Sequence, residues 1–332
     1  MNKSWVFIVI SVSALSLFSA PGLGKSVRPV HTYSIVALDK ATGELGVAVQ
    51  SHWFSVGALV PWVEAGVGAV ATQSFVEPSY GPLGLELMKV GKSADEALVG
   101  LLKADKNESV RQVAMVDARG KAAAHTGKNC IAEAGQHVGD GFSCQANMML
   151  KNTVWDAMAR AFETTKGELA DRLIAALEAA EKEGGDIRGK QSAAIIVVKG
   201  KSSGVWWKDR IYDLRVEDSV APVPELKRLL KLNKAYNHMN QGDEYLTENK
   251  TAEAMKEYSK GMDIYPDNPE MIFWPAVTLA ATGKVEESLL LFKKTFALDP
   301  NWALLLQRLP KAGQFPNDDK LMKKILAVVP KK

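Results

Sequence analysis

The chain has little of several features that would assign it to a specialised class. Its 332 residues include only two cysteines, Cys130 and Cys144, and five scattered histidines. No H-x-x-x-H pair occurs, so a zinc site is not predicted. The net charge is only +3, without a block of lysine and arginine, and this excludes the strongly basic surface that binds nucleic acid. No Gly-x-Gly-x-x-Gly segment follows a predicted strand and no Gly-Lys-[Ser/Thr] loop occurs, so we expect neither a cofactor nor a metal.

The chain also lacks a long hydrophobic run. After Lys3, the segment Trp5 to Phe18 is apolar except for serines, but its 14 residues fall short of the roughly 20 that span a membrane. Small residues at 19–24 complete the pattern of an export signal, with cleavage after Gly24. An uncleaved N-terminal anchor is the alternative. We therefore predict a signal peptide at 1–24 and a periplasmic or secreted protein without stable membrane insertion after signal removal.

The cysteines leave two readings open. An exported chain meets oxidants, which permit a disulfide between Cys130 and Cys144. Two separately buried thiols are the alternative, because a spacing of 14 residues does not decide between them.

Two parts of the chain differ in hydrophobic periodicity. From about residue 31 to 216, strand and helix patterns alternate in blocks. Strands are predicted at 33–38, 45–50, 66–72, 110–117, 121–125, 193–199 and 205–216, and helices at 80–90, 93–102, 153–162 and 168–182. This order favours an α+β domain in which two antiparallel sheets pack together with helices outside.

Beyond residue 216, a stiff proline-containing linker is predicted at 217–225 and a helical region at 226–332. A motif around Pro266 recurs 34 residues later around Pro300. Gly242, Ala254 and Tyr258 occupy the small and aromatic positions of a tetratricopeptide repeat. Such helix pairs form a concave surface for a protein or peptide, although a purely stabilising appendage is the alternative.

Several ordered segments between 32 and 216 resemble the domain-of-unknown-function family 1028. The segments that carry the resemblance are 32–39, 43–49, 66–73, 78–82, 139–147 and 184–193. The family is grouped with the N-terminal-nucleophile (Ntn) hydrolases, so the resemblance implies a four-layer αββα sandwich. It implies an amide hydrolase less directly, because the family lacks a settled activity.

Ntn hydrolases use the first residue of the mature chain as nucleophile, and Thr32 is the candidate here. The side chain attacks an amide carbonyl, and the free α-amine, with an unperturbed pKa of about 7.7–8.0, takes the proton. Signal cleavage after Gly24 leaves residues 25–31 ahead of Thr32, so a second cut at His31–Thr32 is required. Otherwise Thr32 is a β-branched residue at the start of a strand.

Other polar residues complete the predicted site. Gln73 and Asn147 are candidate catalytic groups, with Asn147 as an oxyanion donor. The candidate substrate-binding residues are Ser74, Asp186, Arg188 and Gln191; the guanidinium of Arg188 would hold a carboxylate through two hydrogen bonds. Each also has a structural alternative as a turn, cap or ion-pair residue.

Two departures from the superfamily pattern stand out. Gln50 occupies the place where the proteasome branch has an acid, and Glu64 lies near the place of its lysine. Two aromatic segments, 52–54 and 206–207, are expected to pack in the core; the alternative is that they line a cleft for a peptide or a sugar.

Two functions follow from the sequence. The first is an exported amidohydrolase acting on a small amide or peptide, with a helical partner-binding region; the second is a non-catalytic binding or scaffold protein with the same folds. Either leaves a homo-oligomer open.

Overall fold

Two antiparallel sheets form the centre of the first part of the protein. The structure, a computed structural model, describes residues 32–330. The six-stranded sheet has the order β10-β9-β2-β1-β8-β7 and the four-stranded sheet the order β3-β4-β5-β6. The strands are β1 Thr32–Leu38, β2 Leu45–Ser51, β3 Pro61–Glu64, β4 Gly68–Ser74, β5 Arg111–Asp117, β6 Ala122–Thr126, β7 Gly135–Gly139, β8 Phe142–Ala146, β9 Ser192–Val198 and β10 Arg210–Val216.

Eleven α-helices accompany these strands among residues 32–330. They are α1 Tyr80–Lys89, α2 Ala94–Ala104, α3 Val154–Thr164, α4 Leu169–Lys182, α5 Trp206–Asp209, α6 Pro222–Thr247, α7 Thr251–Ile264, α8 Pro269–Ala281, α9 Val285–Leu298, α10 Asn301–Arg308 and α11 Asp319–Leu326. A capping box formed by Ser93 and Glu96 begins α2.

Alternation along the strands gives three apolar cores. In β1, Tyr33 and Ile35 face α3 and α4, whereas Val36 faces the second sheet. In β4, Val70 faces outward and packs with α1 and α2, and Ala71 faces inward. The layers are therefore helices, sheet, sheet and helices, because each sheet has one face toward its helices and one toward the other sheet.

The structure adds strands to the predicted order and changes one element. β3, β7 and β8 were not predicted; β3 has only four residues and starts at Pro61, and β7 begins and ends with glycine. Residues 205–216 were predicted as one strand, but Trp206–Asp209 form the short helix α5 before β10.

The predicted linker at 217–225 ends inside a helix. Pro222 begins α6, where its missing N–H and fixed φ suit the first helical turn. Val223, Leu226 and Leu230 of this helix are buried in the same core as α4 and β9. The helical region thus starts as part of the first domain's packing.

The remaining helices form two antiparallel hairpins followed by two short helices. Tyr258 of α7 packs on Gly242 of α6, and an added Cβ on this glycine would lie 2.4 Å from the tyrosine ring. Ala254 is fully buried beside them. A second core around Phe273 and Phe292 joins α8 and α9 to the last helices. The all-helical character predicted for 226–332 is confirmed for the residues described.

Candidate functional site

Thr32 lies at the end of β1, in the middle of the six-stranded sheet. It pairs with Ser51 of β2, and Ser51 pairs with Ser192 of β9, so three hydroxyl residues form a row across three strands. Thr32 is fully buried, and its Oγ1 donates to Ser51 Oγ at 3.2 Å. Register places these side chains on the face toward the second sheet.

The carbonyl oxygen of Thr32 is held from both sheets. The backbone N–H of Asn147, which follows β8, donates to it at 3.1 Å. Gln73 Nε2, from β4 of the other sheet, donates to it at 3.2 Å. Three predicted site residues, Thr32, Gln73 and Asn147, are therefore in direct contact.

A buried network of amides surrounds this contact. Gln112 Oε1 on β5 accepts from Gln73 Nε2 at 2.7 Å and from Asn147 Nδ2 at 2.8 Å. Its own Nε2 donates to Thr126 Oγ1 at 2.8 Å and to the Ala146 carbonyl at 2.9 Å. Gln112 is fully buried, and the hydrogen bonds of its amide link the two sheets.

A second branch of the network crosses from β1 to β8. Ser34 Oγ donates to Gln73 Oε1 at 2.6 Å, and Gln145 Nε2 donates to Ser34 Oγ at 2.5 Å. The apolar space between the sheets thus becomes polar at the Thr32 end.

Strained backbone flanks this end of the sandwich. Ser74, which ends β4, has φ 69°, and Met148, one residue after Asn147, has φ 57°. Non-glycine residues in the left-handed region cost free energy and cluster at functional sites. Ser74 is fully buried near Cys130, and burial raises the pKa of the Cys130 thiol.

Asp186 and Arg188 lie in the loop before β9. The Arg188 guanidinium binds both oxygens of Asp186, through Nε at 3.0 Å and Nη2 at 2.7 Å. Asp186 Oδ2 also accepts from the His52 backbone N–H, one residue beyond Ser51. The loop is therefore anchored beside the row of hydroxyls, but the guanidinium fork predicted to hold a substrate carboxylate is already occupied.

Gln191 is tied to the chain that leads to α6. Its Nε2 donates to Asp218 at 3.1 Å and its carbonyl accepts from the Ser219 N–H at 2.7 Å. It neighbours Ser192 in sequence, but these hydrogen bonds run to 218–219 and not to Thr32, Gln73 or Asn147. Its contacts are those of a loop anchor.

The two departures noted in the sequence lie away from the Thr32 hydroxyl. Gln50 pairs with Tyr33, so its side chain is on the helix-facing side of the sheet, opposite to Thr32. Glu64 pairs with Gly68 at the other end of β4 and binds Lys89 at 2.7 Å. Neither residue supplies the acid or base of a proteasome-type site.

Sequence reasoning missed Ser51, Gln112 and Gln145. The sequence signal for such residues is a polar side chain at the inward-facing positions of a strand. Ser143, Gln145 and Asn147 show it, because they follow one another at every second position. Such residues need partners when buried, so their alternation predicts a shared network.

The two thiols are free and separate. Cys144 lies in the core beneath α3 and α4, and Cys130 Sγ donates to the Arg111 carbonyl near the second sheet. Burial also raises the pKa of Cys144 well above its usual value. The structure thus has two separate thiols and no disulfide between Cys130 and Cys144; Cys144 is buried and Cys130 is partly buried.

Residues 32–330 contain no cluster of three or more side chains that could hold a metal ion. None of the helices in this range is both long and apolar enough to cross a membrane.

Comparison with known families decides the assignment of the first domain. The family described as a family of unknown function, DUF1028, matches residues 32–226, more than half of the chain. The chain belongs to the DUF1028 family. The matched region starts at Thr32 and extends into α6, in agreement with the burial of Leu226 against the sandwich.

One solved DUF1028 structure is similar to this chain. The crystal structure of a protein from Silicibacter pomeroyi, assigned to the same family, superposes with a TM-score of 0.54 at 28% sequence identity. The match covers 60% of this chain and 88% of that chain. No curated protein matches the chain.

Proposed function

We propose that the protein is an exported amidohydrolase of the Ntn type, which acts on a small amide or peptide through Thr32. The observation that carries this proposal is the position of Thr32 between the sheets. Its carbonyl is fixed by Asn147 and Gln73, and its hydroxyl contacts Ser51. The predicted signal peptide and the His31–Thr32 bond involve residues outside those described, so export and cleavage are parts of the proposal.

The proposed reaction needs cleavage of the His31–Thr32 bond first. Thr32 Oγ1 then bonds to the amide carbonyl carbon of the substrate while the new α-amine takes the hydroxyl proton. The C–N bond breaks as this proton passes to the leaving amine, and an ester remains on Thr32. Water then attacks the ester and releases the acid, with the α-amine again acting as base.

Gln73 and Asn147 would act mainly by positioning Thr32. Both donate to its carbonyl oxygen, and Asn147 Nδ2 also donates to Gln112. As an oxyanion donor, Asn147 would have to exchange that bond for one to substrate. Arg188 would likewise have to leave Asp186 before it could bind a substrate carboxylate.

The helical region would recruit a protein or peptide partner as a short tetratricopeptide-type array. The 34-residue spacing and the packing of Tyr258 on Gly242 support this part of the proposal. Because α6 is shared with the first domain's core, a partner bound there would be held in a fixed relation to the sandwich.

N-terminal sequencing of the exported protein tests the nucleophile. The full chain would be expressed with its own first 24 residues, and the mature protein analysed by intact mass and stepwise degradation. We expect a terminus at Thr32 and labelling by a peptide epoxyketone, which joins to both the hydroxyl and the free amine of an N-terminal threonine. Thr32→Ala should abolish labelling, whereas Thr42→Ala, on the exposed β1–β2 turn, should keep it.

A mature terminus at Lys25 alone, with no labelling, would refute the threonine mechanism. The mechanism would also be refuted if the mature wild-type protein begins at Thr32 but the Thr32→Ala variant is labelled as strongly as the wild type.

A second function, a non-catalytic binding or scaffold protein, is favoured by the satisfied state of the site. Thr32, Gln73 and Asn147 are fully buried, and their polar groups bond to one another. Under this function, Thr32 stays joined to His31 and its substitution changes stability only. Hydrolysis of an amide library by the wild-type protein, lost in a folded Thr32→Ala variant, would exclude it.

A further inference from the structure

Two neighbouring tryptophans lie on the surface at the far end of the sandwich. Trp206 and Trp207 are 64% and 63% exposed, contrary to the expectation that they pack in the core. Their rings meet edge to face with centroids 5.8 Å apart. Large aromatic side chains left exposed together commonly mark a binding surface.

Trp206 stands at the side of a groove of about 860 Å³. The groove runs between the β3–β4 turn and the loop that joins β9 to α5. Gly66 and Gly200 approach each other where these two segments meet; a Cβ on Gly66 would lie 3.5 Å from the Gly200 carbonyl oxygen. At Gly200, a Cβ would overlap the backbone of Gly43 at 2.5 Å, so this packing of the loop requires glycine.

The groove walls carry both hydrogen-bond donors and acceptors. Glu64 and Lys89 form an ion pair on one side, 2.7 Å apart. Lys201 is exposed, and no ion pair to it occurs within residues 32–330. Asp209, almost fully buried, accepts from Ser202 Oγ at 2.9 Å and from the Ser203 N–H at 3.0 Å. These bonds hold the loop in one conformation beside the tryptophans.

Trp206 is itself fixed in orientation. The guanidinium of Arg210 lies 4.9 Å from the centre of its ring, within the range of a cation–π contact. Arg210 also pairs with Asp213 on β10. A ring held in this way loses little conformational freedom on binding, which favours affinity.

We propose that this groove binds a saccharide, with a pyranose ring stacked on Trp206, which lines the groove, and with Trp207 beside it. A pyranose has an apolar face of C–H groups that fits a flat indole, and a rim of hydroxyls that need both donors and acceptors. The groove offers the Trp206 indole beside Lys89, Lys201 and Arg210 as donors and Glu64 as acceptor.

Charge argues against a membrane surface as the occupant. Binding to anionic lipid favours a strongly basic surface around exposed aromatics, but here three cations, Lys89, Lys201 and Arg210, share the groove with two carboxylates, Glu64 and Asp209. Among polar ligands, an uncharged saccharide is compatible with both signs of charge.

The saccharide groove and Thr32 are at opposite ends of the sheet. In β9, Val198 is at the groove and Ser192 is beside the row of hydroxyls, six residues apart. At about 3.3 Å per residue, this separation is roughly 20 Å. The saccharide site is therefore independent of the proposed hydrolase, and neither test decides the other.

A glycan array probed with the full mature chain tests the proposal. The array would carry oligomers of glucose, N-acetylglucosamine, mannose, galactose and uronic acids, and titration calorimetry would follow with the best oligomer. We expect binding that the Trp206→Ala/Trp207→Ala double variant weakens by about 30-fold or more, as for aromatic hot spots. Lys201→Ala should weaken it less, since a single hydrogen-bond donor is lost.

Phe54→Ala is the matched control, since Phe54 is an aromatic residue 65% exposed near the other end of β2. It should bind the oligomer as the wild type does, and thermal melting should show all variants folded. The proposal is overturned if no oligomer binds, or if binding survives the double tryptophan substitution. It is also overturned if the tryptophans act instead in dimer formation or vesicle binding, measured by light scattering and sedimentation with phosphatidylglycerol vesicles.

Discussion

Gln112→Leu should lower the free energy of unfolding more than the replacement of any other single glutamine in the first domain. Leucine has a similar volume, so the substitution deletes polar contacts without a large cavity. Asn147 Nδ2 loses its 2.8 Å bond to Gln112, and the Ala146 carbonyl loses a donor at 2.9 Å. Gln73 Nε2 loses its bond to Gln112 but keeps its bond to the Thr32 carbonyl.

The magnitude follows from these losses. A buried polar group left without a good partner costs about 1–3 kcal/mol, and an ordinary hydrogen bond contributes about 0.5–1.5 kcal/mol net. Gln112 gives up four hydrogen bonds, to Gln73, Asn147, Thr126 and the Ala146 carbonyl, so we expect a loss of about 2–6 kcal/mol in the free energy of unfolding. That is a large part of the roughly 5–15 kcal/mol of a typical domain.

Urea unfolding followed by circular dichroism measures this loss. Gln191→Leu is the control, because Gln191 donates one bond to Asp218 at the surface and should change stability by less than about 1 kcal/mol. If Gln112→Leu and Gln191→Leu unfold at the same urea concentration with unchanged slope, the amide network does not stabilise the sandwich and the reasoning fails.

Three further predictions concern other parts of the molecule. Burial alone would raise the pKa of Asp105, but hydrogen bonds, chiefly from Arg111, lower it overall. The contribution of Asp105 to stability is therefore present above about pH 4 and is lost as pH falls through the lowered pKa. Acid unfolding of Asp105→Asn should show a shallower pH dependence in this range. Gly242→Val should destabilise the helical region by about 1–3 kcal/mol, because its Cβ would meet the Tyr258 ring at 2.4 Å, whereas Gly100→Ala on α2, with open space around it, should be neutral or slightly stabilising in the same thermal melt. The denatured, unreduced protein should react with two equivalents of a thiol reagent, since both cysteines are free; a result of zero would contradict the separate placement of the thiols.

The sheets were predictable where one strand face is apolar and the turn residues are distinct. The alternation in β1 and β2 gave both strands and the turn between them to within one residue. The strands missed are those whose own residues carry little signal. β7 reads Gly-Gln-His-Val-Gly and is held by its pairing with β8, a contact made only in the folded chain.

The site was predictable to the extent that it follows from strand register. Thr32, Gln73 and Asn147 all stand at strand ends, and packing of the two sheets brings these ends together. Asp186 and Arg188 lie on a loop, where hydrophobic periodicity gives no register. Asp186 and Arg188 are two positions apart in the sequence, and this spacing allows their ion pair but does not require it.

The two proposed functions differ by one covalent bond. The contacts that hold Thr32 use its carbonyl oxygen and its hydroxyl, and both groups remain after cleavage of the His31–Thr32 bond. Cleavage would therefore leave the bonds to Asn147, Gln73 and Ser51 in place and add an α-amine next to a hydroxyl that already contacts Ser51. Since a threonine inside a chain has no base of its own, the same network is structural before the cut and pre-organised for catalysis after it.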